Sequence, residues 1–324
     1  MRAITINNYG GAENLELTEL PMPERRPGQV LVKTLAAGVN FIDTYQRAGI
    51  ANYQKPLPLT LGLEGAGEVI ESDNKQLTPG DVVAWPFAPA SYAEYVTIDE
   101  TKVVKVPENI SPEIAAASML QGMTAHYLVN DTFKITENTA ALVHAGAGGV
   151  GLLLIQMIKQ LGGQVIATAS ADEKRQLAIQ HGADHAIDYK DFDKQINELT
   201  DDLGVDVVYD GIGQATYMQS LASLKKRGLL ALFGASSGPV PLFDLQMLNS
   251  MGSLFITRPT LADYISTKTE LQSRADDVFK AITNGMKVNI HKTYDLADAS
   301  AAHKDIESRE TSGKLILKPA SDSQ

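Results

Sequence analysis

Gly146-Ala147-Gly148-Gly149-Val150-Gly151 fits the pattern G-x-G-x-x-G and carries the clearest chemistry in the chain. It follows an apolar run, Ala140-Ala141-Leu142-Val143. It precedes apolar residues at helical spacing: Val150, Leu153, Leu154, Met157, Ile158 and Leu161. A strand, a glycine turn and a helix in that order let backbone approach a pyrophosphate. The unpaired N–H groups and dipole of the helix start then favour its negative charge. The expected ligand is a dinucleotide.

The end of the next strand, Gln164 to Ala169, decides which one. NAD sites place Asp or Glu there, about 20 residues past the turn, on the ribose 2′-hydroxyl. This chain has Ala169-Ser170, and Lys174 one helical turn later. A hydroxyl with an ammonium suits a 2′-phosphate, so NADPH is the expected cofactor. Asp172 and Glu173 read as first-turn acids complementing the helix dipole, and Ser170 with Glu173 as a capping box.

These residues need a scaffold, and the chain's texture supplies one. From Thr139 onward strands alternate with helices. Gly162-Gly163 ends the helix after the glycine turn, Gly182 ends the next one, and Val205–Tyr209 and Leu229–Phe233 read as further strands. Such alternation implies α/β architecture, a doubly wound and mostly parallel sheet with helices on both faces. Before about residue 120 the chain is proline-punctuated and strand-like, with Gln29–Leu35, Gly67–Ile70, the turn Thr78-Pro79-Gly80-Asp81 and Val82–Trp85. That pattern predicts a compact, mainly β domain. After Thr260 it is less regular, until Gly313–Pro319 reads as a closing strand.

The chain's 324 residues fit two domains at ~100–200 residues each. Its charge balance, 28 − 39 = −11, disfavours broad capture of nucleic acid. The absence of cysteine excludes disulfides, thiolate zinc sites and a cysteine nucleophile. His126, His144, His181, His185, His291 and His303 are scattered, and Gly182 interrupts the one close pair, so no metal site is expected. The start reads as a strand rather than a signal peptide, and no run reaches the ~18 apolar residues of a membrane span. A soluble cytoplasmic protein is expected.

Several further stretches occur in a familiar order: Gly38–Tyr45, Gly62–Val69, Gln121–Tyr127, His144–Gly151, Tyr209–Gly213, Phe233–Gly238 and Thr257–Pro259. In them the chain resembles, over essentially its whole length, the zinc-independent quinone oxidoreductases of the medium-chain dehydrogenase/reductase superfamily. The resemblance implies a GroES-like, mainly β catalytic domain over residues 1–120 and a Rossmann dinucleotide-binding domain over 121–260, flanking a cleft. Residues 261–324 would return to the catalytic domain. It implies NADPH-dependent reduction of a quinone or similar activated acceptor, and a homodimer joined through the Rossmann domains.

By the same resemblance Asn40, Asp43 and Tyr45 line the nicotinamide and substrate side, where Tyr45 and Asn40 would donate to the acceptor oxygen. Thr124 contacts the cofactor, and Gly149 and Val150 meet the pyrophosphate. Ser170, Lys174 and Tyr189 surround the 2′-phosphate. Phe233, Gly234, Ser236 and Ser237 lie near the nicotinamide ribose, and Thr257, Arg258 and Arg309 close over the cofactor. Relatives often carry alanine at Gly146, a difference expected to be harmless. Zinc-bearing enzymes of the superfamily place Cys and His where this chain has Asn40 and Leu63-Glu64.

Three other readings compete. Gly234-Ala235-Ser236-Ser237-Gly238 fits the nucleophile elbow of serine hydrolases, but Pro239-Val240-Pro241 follows, which is extended where an elbow needs a helix. An enone or alkenal double-bond reductase would share fold and cofactor, as would a non-catalytic NADPH sensor or RNA-binding protein.

Overall fold

A computed structural model describes residues 1–319. The chain opens with β1 (Arg2–Ile6), β2 (Glu16–Glu19) and β3 (Gln29–Val39), then α1 (Phe41–Ala48). Next come β4 (Leu59–Thr60), β5 (Glu64–Glu71), β6 (Val82–Trp85), β7 (Tyr95–Asp99), β8 (Val104–Lys105) and α2 (Pro112–Tyr127). The alternating part runs β9 (Ala140–Val143), α3 (Gly149–Gln160), β10 (Gln164–Thr168), α4 (Asp172–Gln180) and β11 (His185–Ile187). It continues through α5 (Phe192–Leu199), β12 (Val205–Asp210), α6 (Tyr217–Ala222), β13 (Leu224–Leu232), α7 (Gln246–Ser250), β14 (Phe255–Thr257) and α8 (Leu261–Tyr264). The chain finishes with α9 (Lys268–Thr283), β15 (Ile290–Asp295), α10 (Ala299–Ser308) and β16 (Lys314–Lys318). Two compact units result: Met1–Met123 with the chain from Ile265 onward, and Thr124–Tyr264. Among the described residues no helix is long and apolar enough to cross a membrane.

The first unit is built on a sheet ordered β15-β16-β3-β5-β6-β8, with β7 beside the first half of β3. β3 begins with the alternating burial of a strand that has one wet face, then is buried on both faces from Ala36 to Val39. There β16 pairs with it antiparallel, Leu315 opposite Val39 and Leu317 opposite Ala37, so the last strand of the chain is interior to the sheet. One core cluster gathers Trp85, Val30, Val32, Val69 and Val83. A second joins Ile4, Ile6, Leu61, Tyr92, Leu315 and Ile306.

In the second unit six strands run parallel in the order β11-β10-β9-β12-β13-β14. In such a doubly wound sheet the order reverses between the first and fourth strands of the unit, here β9 and β12. The chain leaves their carboxyl ends in opposite directions and opens a crevice there. Leu142, Ile166, Val208, Leu230 and Leu232 hold the sheet against helices through Phe192, Ile196 and Leu221.

Three local expectations change. α3 buries Leu152 and Ile155 along with Leu153, Leu154, Met157 and Ile158 of the predicted stripe, because a π-helical turn at Leu128–Thr132 covers it on one side and the sheet on another, while Val150 is half-buried and Leu161, at the C-cap, is exposed. The capping box of Ser170 with Glu173 does not form: α4 starts at Asp172, its N-cap is Ala171, and no side chain caps it. Arg175 instead reaches back to the Ala169 carbonyl and to Asp172, tying the helix start to the strand end. The region after Thr260 contains two well-formed helices. α9 buries Leu271, Ala275, Val278 and Phe279, a helical stripe, behind a Thr267/Glu270 capping box. Both signals are present in the sequence.

Candidate active site

The glycine turn lies at the sheet's switch point, between β9 and α3. Ala145 adopts a left-handed φ of 49°, and the Gly148 N–H donates to its carbonyl at 2.8 Å. A left-handed conformation is strained for a residue with a Cβ and typical of functional turns. A Cβ on Gly151 would fall 2.3 Å from the Ala145 oxygen and 2.9 Å from the Gly146 Cα, so only glycine lets the helix start this close to the turn. A Cβ on Gly146 would meet the Ala167 Cβ at 2.7 Å. Glycine at this position, where relatives often carry alanine, suits the close approach of β10 to the turn. Gly148 is the N-cap of α3, which has no side-chain cap and no acidic residue in its first turn. The first N–H groups of α3, from Gly149, Val150 and Gly151, are thus left without a side-chain partner at the helix start, a fit for a pyrophosphate.

At the end of β10, Ser170 is exposed and Lys174 half-buried on the first turn of α4. No acid stands at the strand end itself. Tyr189 reaches the glycine turn itself: its hydroxyl oxygen accepts the Ala145 N–H at 2.9 Å, and its ring stacks beside His144 at 6.0 Å. It braces the glycine turn.

A buried hub joins this turn to the next. Asp210, ending β12, accepts from the N–H groups of Ile212 and Gly213 at 2.7 and 3.0 Å, and from Thr216 and Ser220 hydroxyls at 2.7 and 3.1 Å. Ser220 gives its one proton to Asp210, so it accepts from His144 Nε2 at 2.9 Å; Nδ1 of His144 then accepts from Thr168 at 2.8 Å. Burial pushes the His144 imidazole below its ordinary value and keeps it neutral. The segment after β13 is laced to the same loop. Phe233 N–H donates to the Asp210 carbonyl at 2.9 Å, Ser236 N–H to Gly211 at 3.1 Å and Ser237 N–H to Ile212 at 2.8 Å. Thus Phe233, Gly234, Ser236 and Ser237 line up with the glycine turn along the carboxyl ends of β9, β12 and β13. No helix follows Ser236 until α7, which removes the hydrolase elbow.

In the first unit the predicted trio separates. Asn40 is the N-cap of α1 and is buried. Its amide nitrogen donates to Gly38 at 3.3 Å and Glu64 at 2.8 Å, and its amide oxygen accepts from Lys314 at 2.6 Å. With both amide hydrogens engaged, the expected donation from Asn40 to an acceptor oxygen is corrected to a structural role. Lys314 Nζ also lies 2.5 Å from Glu64 Oε2, both side chains fully buried, while Glu64 Oε1 accepts the Leu120 N–H at 2.6 Å.

Asp43 is likewise inward. One carboxylate oxygen accepts the Asn40 N–H at 2.8 Å and the Tyr92 hydroxyl at 2.9 Å; the other is buried with no hydrogen-bond partner. Burial pushes its carboxyl up to about 7. Tyr92 accepts from His303 Nε2 at 3.3 Å, and His303 Nδ1 accepts from Arg47 at 3.1 Å. Burial, with Arg47 beside it, pushes His303 down to about 3. Arg47 continues to Glu307 at 2.7 Å. Sequence reading missed Lys314, Tyr92 and His303, because nothing local marks a partner so far along the chain.

Tyr45 differs from its two neighbours. It is half-buried, its ring centroid 5.2 Å from Tyr53 and 6.5 Å from Phe41, forming an aromatic wall from α1 and the turn that follows it. Thr124 opens the second unit, buried within α2. Thr257 ends β14 and Arg258 follows it, exposed. Arg309 belongs to the first unit, at the C-cap of α10 with a left-handed φ of 61°, so the second unit's fold alone does not bring it to Thr257 and Arg258.

The positions where zinc-bearing relatives carry ligands do not fit a metal. Asn40 and Glu64 already bind the Lys314 ammonium, whose charge would oppose a dication there, and the chain has no thiolate to offer. Among the described residues no group of three or more His, Asp or Glu side chains is arranged to hold a metal ion.

Residues 26–108 match the family described as alcohol dehydrogenase GroES-like domain, and residues 149–273 that described as zinc-binding dehydrogenase. A quinone oxidoreductase of Pseudomonas aeruginosa is 43% identical over 318 residues, 96% of this chain and 97% of its own. A quinone oxidoreductase of Escherichia coli, solved in complex with NADPH, has a TM-score of 0.95 at 39% identity, covering 98% of this chain and 100% of that one. A 2-haloacrylate reductase of a Burkholderia species is 37% identical over 331 residues, 98% of each chain.

Proposed function

The chain belongs to the zinc-independent quinone oxidoreductase family of the medium-chain dehydrogenase/reductase superfamily, and from that membership we propose that it uses NADPH to reduce quinones or similarly electron-poor acceptors. The observation that carries this reading is the glycine turn at the switch point, with the uncapped start of α3 and no acid at the end of β10.

When bound, NADPH supplies the hydride. Gly149, Val150 and Gly151 hold its pyrophosphate through backbone N–H groups. Ser170 and Lys174 take the 2′-phosphate, and the 233–237 segment positions the ribose next to the nicotinamide. Thr124, Thr257, Arg258 and Arg309 complete the contacts expected along the cofactor. On α1, Tyr45 donates a hydrogen bond to the acceptor oxygen, and its wall with Phe41 and Tyr53 offers an aromatic surface to a quinone ring. Asn40 and Asp43 hold the start of that helix. Hydride and one proton convert a quinone to a hydroquinone; the product is aromatic and its anion delocalised, so little Lewis-acid help is needed. Binding then acts through proximity and orientation.

Activated alkenes are a second reading, supported by the likeness to a 2-haloacrylate reductase. We place the enzyme in the cytoplasm, consistent with its lack of cysteine, and as a homodimer. β14 is an edge strand of the parallel sheet, with Phe255 on it and Leu242 and Leu245 nearby in sequence, all exposed, which suits pairing with a second copy.

Titration with NADPH and NADH, followed by NADPH oxidation with benzoquinones, naphthoquinones, enones and 2-haloacrylates, tests the reading. Turnover of quinones above all other acceptors is expected. Preference for the haloacrylates selects the second reading. Tight NADPH binding with no turnover on any acceptor would make the protein a sensor.

A further inference from the structure

The end of β10 holds a cation that the motif does not announce. Arg175 lies one position beyond Lys174, in the first turns of α4, and its side chain turns back along the helix. One terminal nitrogen donates to the carbonyl of Ala169, the residue that follows β10, at 3.0 Å. The other pairs closely with Asp172. In NAD-binding sheets this strand end carries an acid that grips the ribose 2′-hydroxyl. Here a guanidinium is pinned to the same place.

We propose that Arg175 is a specificity-determining residue, a second cation for the 2′-phosphate of the adenosine ribose, and that Asp172 occupies it until a phosphate arrives. The proposal rests on the NADPH reading and deepens it.

Three features support the assignment. The carbonyl anchor fixes the plane of the guanidinium, and a fixed planar fork suits bidentate contact with phosphate better than an ammonium does. Each named contact uses one hydrogen, leaving Nε–H and the second hydrogen of each terminal nitrogen for a ligand. The start of α4 has no side-chain cap, so its first N–H groups favour an anion at the same end of the helix.

Asp172 explains how an acid can stand beside a phosphate site. Its side chain is 80% exposed, against 23% for Arg175. An ion pair with one partner so open to water is weak and easily exchanged. A phosphate carrying nearly two negative charges outcompetes it for the guanidinium. The carboxylate then swings into solvent, so Asp172 lowers the affinity for NADPH without abolishing it.

A purely mechanical staple between helix and strand predicts something else: its removal would weaken every nucleotide alike. The test is therefore equilibrium binding of NADPH, NADH, 2′,5′-ADP and AMP to the unaltered protein, Arg175→Ala, Arg175→Lys and Asp172→Asn. For Arg175→Ala the expected result is about a tenfold loss of affinity for NADPH and 2′,5′-ADP, the worth of one charged hydrogen bond, with NADH and AMP changed by less than about twofold. Arg175→Lys should recover part of the loss, and Asp172→Asn should tighten NADPH while leaving NADH unchanged. Equal losses for all four nucleotides, or no loss for any, overturn the proposal while leaving NADPH as cofactor. If the unaltered protein itself binds NADPH and 2′,5′-ADP no better than NADH and AMP, the cofactor reading fails and takes the role of Arg175 with it.

Discussion

Tyr92 donates its hydroxyl proton to Asp43 across 2.9 Å, and its oxygen accepts from His303 at 3.3 Å. One buried phenol thus links a carboxyl pushed up to about 7 with an imidazole pushed down to about 3. Folding in effect moves a proton. In the unfolded chain, between their ordinary values of 3.8 and 6.5, His303 carries it; in the folded chain Asp43 does. The partnerless oxygen of Asp43 is where that proton can sit without disturbing the bonds to Asn40 and Tyr92.

The pH dependence of stability follows. The raised Asp43 value stabilises the fold fully below 3.8, and that contribution is lost as pH rises through about 7. The lowered His303 value works the other way: its contribution is full above 6.5 and lost as pH falls towards about 3. Over the shared window the two slopes cancel. Asp43→Asn should leave a stability that rises with pH there, and His303→Gln one that falls, each by up to about 1.4 kcal/mol per pH unit. Urea denaturation across that window measures both slopes; parallel profiles for the two variants would contradict the linkage.

The buried pair of Lys314 and Glu64 should resist single substitution. Lys314→Met leaves an unpaired buried carboxylate and strands the Asn40 amide oxygen, so a loss of ~3–5 kcal/mol in chemical denaturation is expected. The double variant with Glu64→Gln should lose less than the sum of the two singles, since neither charge is then left unmatched. Strict additivity would mean that the pair is not coupled.

Gly148 and Gly151 should fail differently. A methyl at Gly151 runs into backbone at 2.3 Å, whereas at Gly148 the nearest atom, the Ala145 oxygen, is 3.1 Å away. Gly151→Ala should lower both Tm and NADPH affinity. Gly148→Ala should keep a near-native Tm yet lose NADPH affinity, because its methyl stands where the pyrophosphate approaches. Thermal melts with NADPH titrations separate the cases, and normal cofactor affinity in both variants would remove the turn from the binding site.

Tyr45→Phe keeps the aromatic wall and deletes its one polar handle. Turnover with a quinone should fall by about tenfold or more while the Kd for NADPH is unchanged, as for loss of a hydrogen bond made chiefly in the transition state. Unaltered kcat in this variant would exclude the hydroxyl from the reaction.

Phe255→Glu places a charge on the edge strand β14. Light scattering should show a dimer for the parent chain and a monomer for the variant; a variant as dimeric as the parent would locate the interface elsewhere.

Much of this protein is local in origin. The period of α3, the glycines at either end of it and the strands flanking them are each written within about ten residues of chain, which is the range over which periodicity and turn chemistry act. So the sequence by itself determined the doubly wound sheet, the glycine turn and the lack of an acid at the end of β10 itself. Even the helices after Thr260 left their marks, in Thr267 with Glu270 and in the stripe from Leu271 to Phe279.

The role of a polar side chain depends on what meets it. Asn40 reads equally well as a donor to substrate until both its amide hydrogens are found on Gly38 and Glu64, the latter held by Lys314, 274 residues from Asn40 in sequence. Asp43 reads as a site carboxylate until the Asn40 N–H and the Tyr92 hydroxyl are found on it, with His303 on the far side of Tyr92. Arg175 is an ordinary helix-surface arginine until its side chain is found on the Ala169 carbonyl. Only the tertiary structure decided these contacts. A side chain's hydrogen bonds and its loss of water are fixed by neighbours that folding brings together from distant parts of the chain, and no pattern within one segment encodes them.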